Sequence, residues 1–300
     1  MSVLSRLALG AGVSILLSTT AMAADLTVGF SQIGSESGWR AAETSVTKAE
    51  AEKRGIDLKF ADAQQKQENQ IKAIRGFIAQ GVDAILVAPV VATGWDAVLG
   101  EAKDAKIPVI LLDRGVDASQ DLYLTSIASD QVEEGRVAGR WLTETVKDKD
   151  CKVVELQGTV GSTPAINRKK GFEEAIADHK NVSIARSQTG DFTRSKGKEV
   201  MEGFLKAENG GKDICAMYAH NDDMAVGVLQ AIEQAGRTDI QYIIGGAGSK
   251  DMIKKVMDGD KMVPVDVLYP PAMVGTAMEL TAAGLIDLVP VRGEYILDAT

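Results

Sequence analysis

Residues 84–114 read AILVAPVVATGWDAVLGEAKDAKIPVILLDR. Two uninterrupted apolar runs, Ala84–Ala88 and Pro108–Leu112, flank Thr93–Ala105, which reads as a helix. A run that is apolar at every position, not at alternate ones, marks a strand buried on both faces. Such strands belong to parallel sheets covered by helices. The same alternation continues outward. Leu26–Ser31, Asp57–Ala61 and Leu122–Ile127 read as strands, and Ser37–Arg54 and Lys66–Gln80 as helices closed by Gly55 and Gly81. The pattern then restarts. Helices Gln131–Lys147, Pro164–Asp178, Ser195–Asn209, Asp222–Ala235, Lys250–Met257 and Pro271–Ala283 alternate with strands at Val153–Leu156, Val182–Ser187, Ile214–Ala219, Tyr242–Ile244, Val263–Val267 and Tyr295–Leu297.

So many strands exceed a comfortable open sheet. Two Rossmann-like α/β lobes explain the restart near Ala128 better than the alternative, a single barrel. The composition agrees: 300 residues, 45% hydrophobic and 25% charged, suit about two globular domains. A net charge of −9 argues against nucleic acid or anionic membrane as a partner. Residues 1–23 carry Arg6, an apolar run from Leu7 to Leu17 and a closing Ala21-Met22-Ala23, the pattern of a cleaved secretory signal. Export implies an oxidising compartment, in which Cys151 and Cys215 either form a disulfide or stay as two buried thiols. Each starts a strand-like run, and the first and third strands of such a lobe are often neighbours.

Ligands of open α/β sheets bind beyond the carboxyl ends of the strands. The residues there are Glu36, Trp39, Arg40, Asp113, Arg114, Arg168, Phe192, Asn221 and Tyr269. Flat, bidentate groups match neighbouring hydroxyls of a polyol, and aromatic planes match the C–H face of a sugar ring. Each residue also has a plainer reading. Asp113-Arg114 suits a surface pair, Trp39 core packing, Arg168-Lys169-Lys170 a solvated face and Asn221 a helix cap. Trp95 and Trp141 read as core. His220-Asn221-Asp222-Asp223 is a weak metal signal. Gly245-Gly246-Ala247-Gly248 lacks the Lys-Ser/Thr of a phosphate loop. No metal or cofactor is expected.

Several segments carry a family resemblance: IPVILLDRG (107–115), VVELQGTVGSTPAINRKKGF (153–172), GDFTRSKGKEVM (190–201) and YAHNDDMAVG (218–227). The chain resembles the periplasmic sugar-binding proteins of bacterial ABC importers, of the ribose-binding type. GFSQIGSESGWRAAET, QQKQENQIKAI and APVVATGW bring it nearest to galactofuranose-binding proteins. The resemblance implies a non-enzymatic, monomeric periplasmic protein that delivers a monosaccharide to a membrane permease. It implies sugar contacts at Asp113, Arg114, Arg168, Phe192 and Asn221, with Trp39 opposing Phe192 across the ring and Glu36 and Arg40 completing the first wall. Three crossovers would lie near Ala128-Ser129, Tyr269-Pro270-Pro271 and Arg292–Glu294. That places 24–128 and 271–292 in the N-terminal lobe, and 129–270 and 293–300 in the C-terminal one. Where the family carries an Asp this chain has Ala247, and Tyr269 stands where ribose binders have Gln. Two other functions are compatible with export: presenting sugar to a chemoreceptor or sensor kinase, and glycoside hydrolysis by Asp113 with Asp222 or Glu36. Hydrolysis needs a protonated acid, which the neighbouring Arg114 opposes at Asp113.

Overall fold

A computed structural model describes residues 26–207, 213–272, 274–275, 278–279 and 293–297. Residues 1–23, which the sequence reads as a secretory signal, and most of 271–292, including most of the helix expected over Pro271–Ala283, lie outside these residues. The first half of the chain gives strands β1 (Thr27–Gln32), β2 (Asp57–Asp62), β3 (Ala84–Val87), β4 (Val109–Leu112) and β5 (Thr125–Ser129). Helices α1 (Gly38–Lys53), α2 (Gln67–Gln80) and α3 (Asp96–Asp104) connect the first four. The second half opens with α4 (Gln131–Val146). Then β6 (Cys151–Gln157), α5 (Thr163–Ile176), β7 (Val182–Thr189), α6 (Arg194–Lys206), β8 (Ile214–Ala219), α7 (Asp222–Gln234), β9 (Tyr242–Gly246), α8 (Lys250–Met257) and β10 (Asp266–Val267) follow. The last described strand is β11 (Gly293–Leu297).

These strands form two parallel sheets, ordered β11-β5-β4-β3-β1-β2 and β10-β9-β8-β6-β7. Strands β3 and β4 are buried at every position, as their unbroken apolar sequences require. Each sheet carries a hydrophobic cluster on both faces. In the first, Phe30, Leu86 and Ile110 fill one side, and Ile85, Trp95 and Leu111 the other. Cys151 and Cys215 are bonded between the neighbouring strands β6 and β8, so of the two alternatives the disulfide holds.

Four expectations need correction. The sequence reading places 293–300 in the second lobe, but within the described 293–297 β11 pairs with β5, Gly293 opposite Thr125 and Leu297 opposite Ser129; 298–300 lie outside the described residues. It covers an edge of β5 that would otherwise present unpaired backbone groups. The helix expected from Thr93 starts at Asp96, because Gly94 turns the backbone at φ +85° and Trp95 takes the cap position. Leu122 ends a short 3₁₀ turn, Gln120–Leu122, and the strand begins only at Thr125. Val263–Val267 pairs over Asp266–Val267 alone.

Candidate functional site

The carboxyl ends of both sheets face one narrow, closed-down cavity. Glu36, Trp39, Arg40, Asp113, Arg114, Arg168, Phe192, Asn221 and Tyr269 all line it. Larger grooves lie elsewhere: one beside α7 and α8, one beside α3 and β4, and one at the lobe seam lined by Ser126, Asp130, Gln131, Thr163 and Asn167. None of them gathers the guanidinium groups and aromatic rings of both walls.

The first-lobe wall starts at the N-terminus of α1, where the Ser37 hydroxyl accepts the Arg40 amide at 3.1 Å. That cap fixes the first turn and turns Arg40 inward. The Arg40 guanidinium donates to Asp113 Oδ2 at 2.7 Å, to Glu36 Oε1 at 3.3 Å and to Glu43. Burial pushes the Glu43 carboxyl up, against the pull of Arg40. Asp113 follows β4 directly and holds a left-handed backbone, φ +62°. Such a conformation in a non-glycine residue costs on the order of 1–3 kcal/mol and persists only when its surroundings fix it. Gln131 supplies one restraint, donating to the Asp113 carbonyl at 2.6 Å. Arg114 donates to the Val90 carbonyl at 3.0 Å, and its buried Nε makes no hydrogen bond, lying 3.7 Å from Asp113 Oδ2. Burial and the charge of Arg40 pull the Arg114 pKa down to about 10.

The second-lobe wall depends on close helix packing. A Cβ on Gly135 of α4 would fall 2.1 Å from the Arg168 carbonyl, so only glycine lets α4 and α5 meet there. The contact brings Arg168 Nε within 2.6 Å of Glu134, while Nη1 donates to the His220 carbonyl at 3.1 Å. The guanidinium carbon lies over the Tyr269 ring, 4.1 Å from its centre. Phe192 also holds a left-handed backbone, φ +60°, and its ring fills the space at Gly158, where a Cβ would lie 1.8 Å from Cζ. Asn221 caps α7 with Oδ1, 3.0 Å from the Met224 amide, and donates from Nδ2 to the Phe192 carbonyl at 3.0 Å. Trp39 crosses from the first lobe and donates its indole N–H to the Tyr269 carbonyl at 2.8 Å.

These placements decide between the paired readings. Asp113 and Arg114 are 3% and 2% exposed, which is not a surface pair. Arg168 is 3% exposed, not part of a solvated face. Trp39 is half-buried and meets both readings: it packs against the first-lobe core and lines the cavity. Asn221 is a cap and a lining residue at once. Ser37 and Pro164 also line the cavity. Both sit at helix starts, a signal legible in the sequence for structure but not for a site.

Asp222, the proposed partner of Asp113 in hydrolysis, does not line the cavity. It accepts the Ser249 amide at 2.6 Å, and its carboxyl group meets that of Asp266. Burial and the Asp222 charge push the Asp266 carboxyl up to about 9. The folded chain therefore keeps a proton there that the unfolded chain releases near pH 4. This contribution is complete below about pH 4 and is lost as pH rises toward 9. Asp266→Asn should remove the loss: its melting temperature should exceed wild type at pH 8 and match it near pH 4. Equal melting curves at both pH values would refute the shared proton.

Residues 28–287 match the family model of the periplasmic binding protein domain. The chain belongs to the periplasmic binding protein family. It is 60% identical over 277 residues to the galactofuranose-binding protein YtfQ of Escherichia coli K12, covering 91% of this chain and 86% of that protein. Among solved structures, the binding protein of the arabinose ABC transporter from Shewanella sp. ANA-3, bound to α- and β-L-arabinofuranose, is 53% identical. Its TM-score is 0.84, with 91% of this chain and 89% of that one covered. A Mycobacterium smegmatis protein in complex with β-D-fucofuranose is 46% identical with a TM-score of 0.86, covering 92% and 90%. The first two of these relatives are named as binding proteins.

Proposed function

We propose that the chain is an exported solute-binding protein that captures a neutral monosaccharide in its furanose form, of the galactofuranose class, and delivers it to an ABC permease. The observation that carries this reading is the convergence of Arg40, Asp113, Arg114, Arg168 and Asn221 with the rings of Trp39 and Phe192 on one cavity between the lobes. Three guanidinium groups are balanced by Glu36, Asp113, Glu43 and Glu134, so the site suits an uncharged ligand better than an anion. The furanoses in the relatives' descriptions point to the ring form, and the buried Cys151–Cys215 bridge supports an oxidising compartment. Closure of the lobes on the ligand would create the shape that the permease reads.

The test is a thermal-shift and calorimetric screen of the exported form with D-galactose, L-arabinose, D-fucose, D-ribose and methyl galactopyranoside. The last cannot open to a furanose. D-galactose should raise the melting temperature and bind once per chain without product, and the locked pyranoside should do neither. A shift with none of these sugars would overturn the proposal.

A further inference from the structure

Hydrogen bonds outside the cavity close the seam between the lobes. The Ala92 amide donates to the Gly161 carbonyl at 2.9 Å, and the Gly115 amide to Thr163 Oγ1 at 3.1 Å. A third contact is of a different kind. The amide of Gly38, the first residue of α1, donates to Asp223 Oδ2 on α7 at 2.8 Å. Here two helix N-termini from opposite lobes meet. Both ends present free N–H groups and the positive end of a helix dipole. Bringing them together is unfavourable unless negative charge lies between them. Asp223, in the first turn of its own helix, provides that charge and takes the first N–H of the other. Arg194 of α6 stands behind it, with Nη2 at 3.7 Å from Oδ1. The approach leaves room, since a Cβ on Gly38 would sit 3.6 Å from Oδ2.

We propose that Asp223 is a positioning residue for sugar retention: its carboxylate latches the N-terminus of α1 when the lobes close, without touching the ligand. This rests on the reading of the cavity as a sugar site. Asp223 is not among the cavity-lining residues, and its partner belongs to the other lobe. The contact therefore stabilises the closed state alone. Its loss should speed dissociation and leave the association rate and the stability of the sugar-free chain near wild type.

Three variants separate the parts of the contact. Asp223→Asn keeps an acceptor oxygen and loses the charge, whereas Asp223→Ala loses both. Gly38→Pro removes the donor at a first-turn position where proline is tolerated, and the preceding Ser37 is already extended at φ −139°, ψ 159°. Stopped-flow tryptophan fluorescence with D-galactose should show dissociation about tenfold faster in Asp223→Ala and less accelerated in Asp223→Asn. Gly38→Pro should speed dissociation in the wild-type background and add little to Asp223→Ala. Wild-type dissociation in Asp223→Ala, or full additivity with Gly38→Pro, would overturn the latch. The wild-type thermal shift with D-galactose is the separate check. If it is absent, the sugar reading falls and the latch with it. If it is present and the rates are unchanged, only the latch falls.

Discussion

Arg168→Ala is expected to weaken D-galactose binding by about 2–4 kcal/mol, roughly 30- to 1,000-fold. Three of its interactions are lost together. The Glu134 carboxylate, 2.6 Å away and 2% exposed, loses its cation. The His220 carbonyl loses a donor. The Tyr269 ring, which forms part of the cavity wall, loses the guanidinium over it at 4.1 Å. Burial pushes the Glu134 carboxyl up, so without Arg168 it takes on a proton in preference to remaining a buried, unpaired charge. The sugar-free chain should accordingly melt lower, because removing one partner of a buried pair costs about 3–5 kcal/mol. Arg168→Lys should recover only part of the affinity. An ammonium cannot serve Glu134 and the His220 carbonyl while packing over Tyr269. Calorimetry beside sugar-free melting curves separates the two effects. Wild-type affinity in Arg168→Ala would remove this residue from the sugar site.

The fate of Arg168 also shows how far the sequence could be read. Strands buried on both faces are visible as unbroken apolar runs, which is why β3, β4 and β8 stand close to where the sequence puts them. The rule that ligands sit beyond strand ends then selects the right loops without any coordinates. Pairing across sequence distance was less legible. Nothing local in Arg168-Lys169-Lys170 tells which of the three points inward. That is decided by Gly135, 33 positions upstream, whose missing side chain lets α4 press against the Arg168 backbone. The supporting acids Glu43 and Glu134 were missed for the same reason. Each reads as an ordinary polar helix position, yet each is buried against a cavity arginine. β11 was misplaced because strand order depends on which edge remains open, and no run of residues encodes an edge by itself.

Breaking the Cys151–Cys215 bridge should separate stability from binding. The bridge spans a sequence separation of 64 residues, for which chain-entropy arguments give about 4 kcal/mol. At roughly 2 °C per kcal/mol for a chain of this size, Cys151→Ala/Cys215→Ala should melt about 8 °C lower. The bridged segment contains Arg168 and Phe192, so proximity in sequence alone predicts a loss of sugar affinity. The topology argues otherwise. Cys151 is the first residue of β6 and Cys215 the second of β8, at the amino ends of parallel strands. Gly158, His220 and Asn221, which shape the cavity, follow the carboxyl ends of those strands. The bridge packs within one hydrophobic face of the sheet, and the length of β6 and β8 separates it from the site. Affinity measured well below the melting point should therefore stay within about twofold of wild type, a difference of about 0.4 kcal/mol. An unchanged melting temperature in the double variant would mean that the bridge adds nothing to the fold. A large loss of affinity with only a small fall in melting temperature would mean that the amino ends of these strands help to set the geometry of the cavity.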